Sequence, residues 1–287
     1  MEKEYNIWFS KLKLSNNAKL KLLNHFVTPK NIWNLTEKDL RYFGLENEKL
    51  SEILSVKNRI NLENELKYIE NNSIYIYNCN ENNYPEKLKN IKDRPAVIYI
   101  KGNTKLLSEE MIAMVGSRNA SEYGKKVAIS IARELSNNNI GIVSGLANGI
   151  DKYSHIGALL GKCKKTVAVL GNGIRDNKIY PKENIKLYEE ILKNDGCVIS
   201  EYSIDSNAER WHFPARNRII SGISDKIIVV EAGLNSGSFI TVDFALEQGK
   251  DVYAVPGGIY SKQSAGCNKL IKEGAEPILS VKDILNF

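Results

Sequence analysis

The 287-residue chain sets one arginine, Arg118, in a small polar turn, GSRNAS, which follows the apolar run 111–115 and precedes a helical pattern over 122–135. Strand, turn and helix in that order bring free backbone N–H groups and the positive end of a helix dipole to one point, an arrangement suited to a phosphate or another anion. The Arg118 guanidinium adds a planar fork for the same group, while Gly116 lets backbone approach it and Ser117 and Ser121 offer small donors. More cations, Arg175, Lys178, Lys182, Arg210, Arg216 and Arg218, stand in other loop-like stretches, where Ser144, Ser236 and Ser238 add hydroxyls. Several basic groups facing one crevice suit a polyanion better than a single phosphate. Arg216 and Arg218 are expected at the start of a helix over 216–221, where a cation opposes the dipole and a bound phosphate would compensate.

Aromatic residues interleave with these cations. Tyr180, Trp211 and His212 share their stretches with Lys178, Lys182 and Arg210, the equipment expected for stacking single-stranded bases; Phe213, before Pro214, reads rather as a core anchor, and Trp211 and His212 fit either role. Constellations for catalysis are weak. No GxxxxGK[ST] sequence is present, and GSRNAS lacks the three-glycine dinucleotide spacing, so no cofactor is assigned. Three histidines, His25, His155 and His212, cannot assemble a metal cluster by spacing. His155, four residues after Asp151 on a helical pattern, reads as structural. Glu201 and Glu231 end two strands, where a hydrolase of this architecture would place an acid; capping, or pairing with nearby arginines, is the preferred reading. No catalytic residue is assigned.

What must position these residues is an alternation of strands and helices. Apolar runs at 111–115, 140–143, 166–170, 197–200, 226–230 and 251–255 each precede a loop, and helical patterns follow the first five over 122–135, up to 160, 184–192, 216–221 and 239–248. Six such repeats predict an α/β fold with a doubly wound, mostly parallel, extended Rossmann-like sheet, in which the loops beginning at Gly116, Ser144, Gly171, Glu201, Glu231 and Pro256 converge on one edge. Residues 73–77 and 95–102 read as two further strands forming a connector.

Residues 1–70 are helical in pattern and predict a small helical domain before an extended Rossmann-like domain over 71–287. Thr36 before EKDLRYFG is an N-cap with acidic first-turn residues, and one longer pattern runs over 50–69. Trp8, Trp33, Tyr42 and Phe43 are read as the core of this bundle rather than a binding face. The net charge of +6 permits a nucleic-acid partner without requiring one. Cys79, Cys163, Cys197 and Cys267 are widely spaced, as reduced thiols rather than zinc ligands or a disulfide framework. No apolar run has signal or membrane-spanning length, so no membrane partner and a cytoplasmic location are expected.

The loop set resembles the DNA-processing protein A family, also called DprA or Smf, over residues 73–275. The resemblance is carried by GSR at 116–118, SGLANGID at 144–151, YPKEN at 180–184, SEY at 200–202, HFPARNRIISG at 212–222, EAGLNSGS at 231–238 and VPG at 255–257. Each is weak alone; together they are specific. The helical region is similar in layout to the SAM- or HhH-like domain many members carry. Many also have a winged helix after the core, which is not expected in a chain ending at Phe287.

The resemblance implies a non-enzymatic, homodimeric binder of single-stranded DNA. It would protect the incoming strand, displace single-strand-binding protein and load a RecA-type recombinase in natural transformation. By position, Gly116, Ser117 and Arg118 would hold a backbone phosphate, with Lys182, Arg210 and Arg216 along the strand's path. Ser121, Trp211, Arg218 and Ser238 complete the implied DNA-binding set, and self-association and recombinase contact would fall within about 240–270. Two alternatives are a nucleotide-handling hydrolase, similar to phosphoribohydrolases of the lysine-decarboxylase-like group, and a nucleotide sensor using the same pocket. The hydrolases carry a PGGxGT turn with a catalytic glutamate; EAGLNSGSFIT occupies a similar place but lacks the double glycine.

Overall fold

The computed structural model describes residues 2–59 and 62–285. Its helical N-terminal region comprises α1 (Glu2–Lys11), α2 (Asn16–Phe26), α3 (Pro29–Asn34), α4 (Glu37–Tyr42), α5 (Asn47–Arg59) and α6 (Glu63–Asn71). Local chemistry starts three of these. The side chains of Ser15 and Thr28 each accept a backbone N–H at the start of α2 and α3, and Thr36 and Asp39 close a reciprocal capping box on α4. The single pattern expected over 50–69 crosses residues 60–61, which lie outside the described residues; α5 and α6 stand on either side. Trp8 is fully buried, and Trp33 and Phe43 are half-buried against the core. Tyr42 corrects the expectation: it is 96% exposed at the end of α4, whose short amphipathic turn buries Leu40 instead.

The nine-stranded sheet comprises β1 (Ile74–Asn78), β2 (Val97–Gly102), β3 (Met111–Gly116), β4 (Gly141–Ser144), β5 (Thr166–Leu170), β6 (Cys197–Ser200), β7 (Lys226–Glu231), β8 (Asp251–Ala254) and β9 (Glu276–Pro277). The helices threaded among them are α7 (Glu86–Lys89), α8 (Glu122–Asn137), α9 (Ile150–Leu160), α10 (Ile185–Lys193), α11 (His212–Ile223), α12 (Ser238–Glu247), α13 (Ala265–Lys272) and α14 (Lys282–Leu285). Strand order is β1-β2-β6-β5-β4-β3-β7-β8-β9. From β6 to β9 all pairs are parallel, whereas β2 pairs antiparallel with β6 and β1 with β2. The expected doubly wound, mostly parallel sheet is present, and the two connector strands extend it.

The parallel strands are covered on both faces, which explains their unbroken apolar runs. Along β3, Met111, Ala113 and Val115 enter one hydrophobic core and Ile112 and Met114 the other, as period-two geometry requires. The first core is continuous with Ile7, Trp8, Phe9 and Leu23 of the helical region. The chain order reverses between β3 and β7. Loops after the carboxyl ends of these strands flank a crevice, the usual ligand position in open α/β sheets.

His155 on α9 is fully buried and shares a 2.7 Å hydrogen bond between Nδ1 and the Thr166 hydroxyl; Nε2 has no partner. Its structural reading holds, although Asp151 accepts from the Gly145 N–H rather than pairing with it. Burial, reinforced by the Arg216 cation, lowers the imidazole pKa from 6.5 to about 3. Between those values the unfolded chain takes up a proton that the folded chain refuses, so stability is lost as pH falls below about 6.5. The limiting slope is about 1.4 kcal/mol per pH unit. Chemical denaturation at pH 7, 6 and 5 should show this decline, and His155→Leu should flatten it; an unchanged slope in the variant would assign the acid sensitivity elsewhere.

Candidate functional site

A cleft of ≈ 470 Å³ opens at the strand-order reversal. Its walls are the β3 end with Gly116, Ser117 and Arg118, the segment from Gly233 to Ser238 before and at the start of α12, and one side of α11 with Phe213 and Arg216. The GSR turn is locked from three sides. The Ser117 N–H donates to the Glu231 carbonyl at 2.7 Å, its hydroxyl accepts from the Asn119 N–H at 3.1 Å, and its carbonyl accepts from the Ile150 N–H at 3.1 Å. Gly149, at φ +75°, makes the last contact possible, since a Cβ there would lie 2.1 Å from the Ser117 carbonyl oxygen. Arg118 is left exposed, its guanidinium carbon 5.3 Å from the centre of the Phe213 ring.

The helix dipole behind this turn is already occupied. Glu231, 2% exposed, accepts from both the N–H and the hydroxyl of Ser121, so its carboxylate sits on the positive end of α8. Ser121 therefore caps α8, accepting from the Gly124 N–H, and lies outside the cleft lining. The first turn of α12 does face the cleft, with its Ser238 N–H donating to the Ser236 hydroxyl at 3.4 Å and its Phe239 N–H to the Ser236 carbonyl at 3.2 Å. That turn has no acidic residue and its N-cap, Gly237, has no side chain to offer. Ser236 and Ser238 line the cleft with their hydroxyl oxygens 2.8 Å apart.

Arg216 and Arg218 depart from expectation because α11 begins at His212. Pro214 falls within the first turn, where proline is tolerated, and the helix therefore starts four residues before the expected 216. Both arginines become interior residues of α11 and point in different directions. Arg216, 3% exposed, lines the cleft floor, donating through Nη1 to the carbonyls of Gly145 and Val169 and through Nε to the Asn217 side chain. Burial lowers its pKa to about 10, with Asp151 opposing the shift and Arg118 adding to it. A Cβ on Gly145 would lie 2.4 Å from this guanidinium, so the glycine is required for close approach.

Arg218 turns away from the cleft. It forms a forked pair with Glu201 at 2.7 and 2.5 Å, meets the Asp93 carboxylate at 3.2 Å and donates to the Asp93 and Ala215 carbonyls. Its charge is thus compensated inside the protein, and these partners hold its pKa above the usual arginine value. The preferred reading of Glu201 and Glu231 agrees with the geometry: one pairs with an arginine and the other caps a helix.

The remaining expected residues divide. Ser238 is in the cleft and 7% exposed. Trp211, 62% exposed, packs edge-on against His212 with ring centres 4.0 Å apart and borders a second cavity of ≈ 660 Å³ between α11 and the helical region. His212 stacks on Tyr202 at 3.7 Å and is structural. Lys182 and Arg210 are exposed and have no side-chain partner among the described residues, but they lie beyond the cleft lining. Tyr180, two residues before Lys182, approaches Phe213 with ring centres 5.6 Å apart. Phe213 itself is half-buried and lines the cleft, contrary to its reading as a core anchor. Arg175 is drawn off by Asp205 and the Tyr68 ring. Among the described residues, no group of three or more His, Cys, Asp or Glu could hold a metal ion, and no helix is long and apolar enough to cross a membrane.

A family model described as DNA recombination-mediator protein A matches residues 75–287. The DNA processing protein DprA of Bacillus subtilis is 44% identical over 202 residues, covering 70% of this chain and 67% of that protein. Protein Smf of Escherichia coli is 36% identical over 246 residues, 86% of this chain and 65% of that protein. The solved structure of DNA processing protein A from Streptococcus pneumoniae matches with a TM-score of 0.84 at 36% identity, covering 99% of this chain and 97% of that chain. A structure concerning the single-stranded DNA binding mode of DNA processing protein A from Helicobacter pylori matches with a TM-score of 0.66 at 31% identity, covering 74% and 94%.

Proposed function

The chain belongs to the DNA recombination-mediator protein A family, and from that premise we propose that it binds single-stranded DNA along the cleft at the strand-order reversal. The observation that carries the reading is the convergence of Arg118, Arg216 and the first turn of α12, which holds no acidic residue, on one cleft, with the Phe213 ring beneath Arg118. Phosphates meet cations and helix N–H groups, while an aromatic face beside them accepts a base of any identity. Lys182 and Arg210, exposed and uncommitted, extend the positive path beyond the cleft.

In this reading the protein acts as a homodimer that protects the incoming strand, displaces single-strand-binding protein and loads a RecA-type recombinase onto it during natural transformation, within the cytoplasm. The exposed Leu246, Ile259 and Tyr260 supply apolar surface for self-association or recombinase contact. The reading is of a binder rather than an enzyme. Its support is Glu231, the acid that base release would require, whose carboxylate is committed to Ser121.

Anisotropy titrations against one sequence in single-stranded and duplex form test the proposal. Single strands should bind more tightly, with log K falling linearly in log salt by about 0.7 for each phosphate neutralised. Equal affinity for duplex, or release of free base from nucleoside monophosphates that Glu231→Gln abolishes, would overturn it.

A further inference from the structure

The start of α11 serves two cavities. Phe213 and Arg216 face the cleft at the strand-order reversal, whereas Trp211, Ala215 and Arg218 line the ≈ 660 Å³ cavity between α11 and the helical region. Leu12, Leu14 and Lys19 of the helical region line it too, with Ala96 and Val97 at the start of β2. Six charged side chains share this lining, three of each sign: Lys13, Lys19 and Arg218 against Asp93, Glu201 and Glu209. Arg218 is spent on Glu201 and Asp93, and Glu209 accepts the Trp211 indole N–H at 2.5 Å. Balanced charge on a partly apolar wall suits an uncharged heteroaromatic ring better than a phosphate.

Trp211 offers that ring a stacking surface, since it stays 62% exposed while Glu209 orients its indole. Lys19 offers a donor. Its Nζ donates to the Ser10 carbonyl at 2.7 Å, makes no ion pair among the described residues and has donors to spare. Burial lowers its pKa to about 8 against the pull of Glu201 and Glu52, so an acceptor inside the cavity would relieve a desolvated ammonium. Trp211 and Phe213 stand two residues apart, which brings the mouths of cleft and cavity together at the start of α11. Two exposed cations without side-chain partners among the described residues, Lys13 in the lining and Arg210 beside Trp211, are placed for the flanking phosphates. We propose that this cavity is a nucleobase subsite, in which Trp211 stacks on one base of the bound strand and Lys19 donates to its exocyclic carbonyl. Thymine and guanine present such an oxygen; adenine presents an amino group in its place. The inference rests on the single-stranded DNA reading above and gives the helical region a share in the strand's path.

The test titrates oligo-dT and oligo-dA of one length against the wild-type chain and its Lys19→Met, Trp211→Ala and Arg118→Ala variants. Lys19→Met should weaken oligo-dT binding about tenfold and leave oligo-dA within about twofold. Stacking of adenines on one another is common to both proteins and cancels from the comparison. The melting temperature should hold or rise, because a methionine of similar length replaces a desolvated charge. Trp211→Ala should weaken both strands about tenfold, and Trp211→Phe should recover part of the loss. Equal losses for the two strands in Lys19→Met, or none, overturn the subsite. Binding that depends on Arg118 but ignores both Trp211 and Lys19 also overturns it, and leaves the strand-binding reading standing. A wild-type chain that binds neither strand removes both.

Discussion

Replacing Arg118 by alanine is expected to raise the dissociation constant for single-stranded DNA about 10- to 100-fold, the range for losing a charge-assisted contact. Stability should barely move, because the side chain is exposed, has no ion pair among the described residues and rests only on the face of Phe213. Arg118→Lys keeps the charge but not the planar fork or the stacking geometry, so it should recover part of the affinity. Affinity measured at two salt concentrations, together with a thermal melt, separates these effects. Wild-type binding by Arg118→Ala at moderate salt would remove the GSR turn from the interface.

The second large effect is on folding. Glu201→Ala leaves Arg218, 4% exposed, without its forked partner, and breaking a buried pair in this way costs about 3–5 kcal/mol. Asp93 remains at 3.2 Å and softens the loss, placing the expected value toward the lower end. The double variant Glu201→Ala, Arg218→Met should be more stable than Glu201→Ala alone, since no uncompensated charge stays behind. Denaturant unfolding of the single and double variants gives the coupling directly. DNA binding by the folded double variant then decides the role of Arg218. Retained affinity fits its place outside the cleft, and a loss as large as that of Arg118→Ala would restore it to the DNA path.

Most of the architecture was legible because the parallel strands are apolar throughout and separated by helices of ordinary length. The β3 run and the GSR turn were readable from local sequence alone, and the turn does form one wall of the cleft. What local sequence could not supply was the neighbour of each element. The dipole of α8 looks vacant until β7 is placed beside β3, which brings Glu231 onto Ser121. The place of the first turn of α12 in the cleft becomes apparent by the same pairing. Arg216 and Arg218 were misplaced by a single boundary. With Pro214 inside the first turn of α11, residues two apart in sequence point to different sides of the helix, one toward the cleft and one toward Glu201. Tyr42 failed for a different reason: α4 turns Leu40 to the core and leaves the aromatic at its last position exposed.

The seal of Glu231 over α8 also divides the molecule's response to ionic strength. That contact is buried, beyond the reach of mobile counterions, so the electrostatics holding the scaffold together are weakly screened. The end of α12 and the Arg118 fork meet solvent and are screened readily. Added salt therefore acts as a selective solvent for the ligand: it can strip the crevice bare while leaving the frame that shapes it in register, ready to be refilled when the ions are diluted.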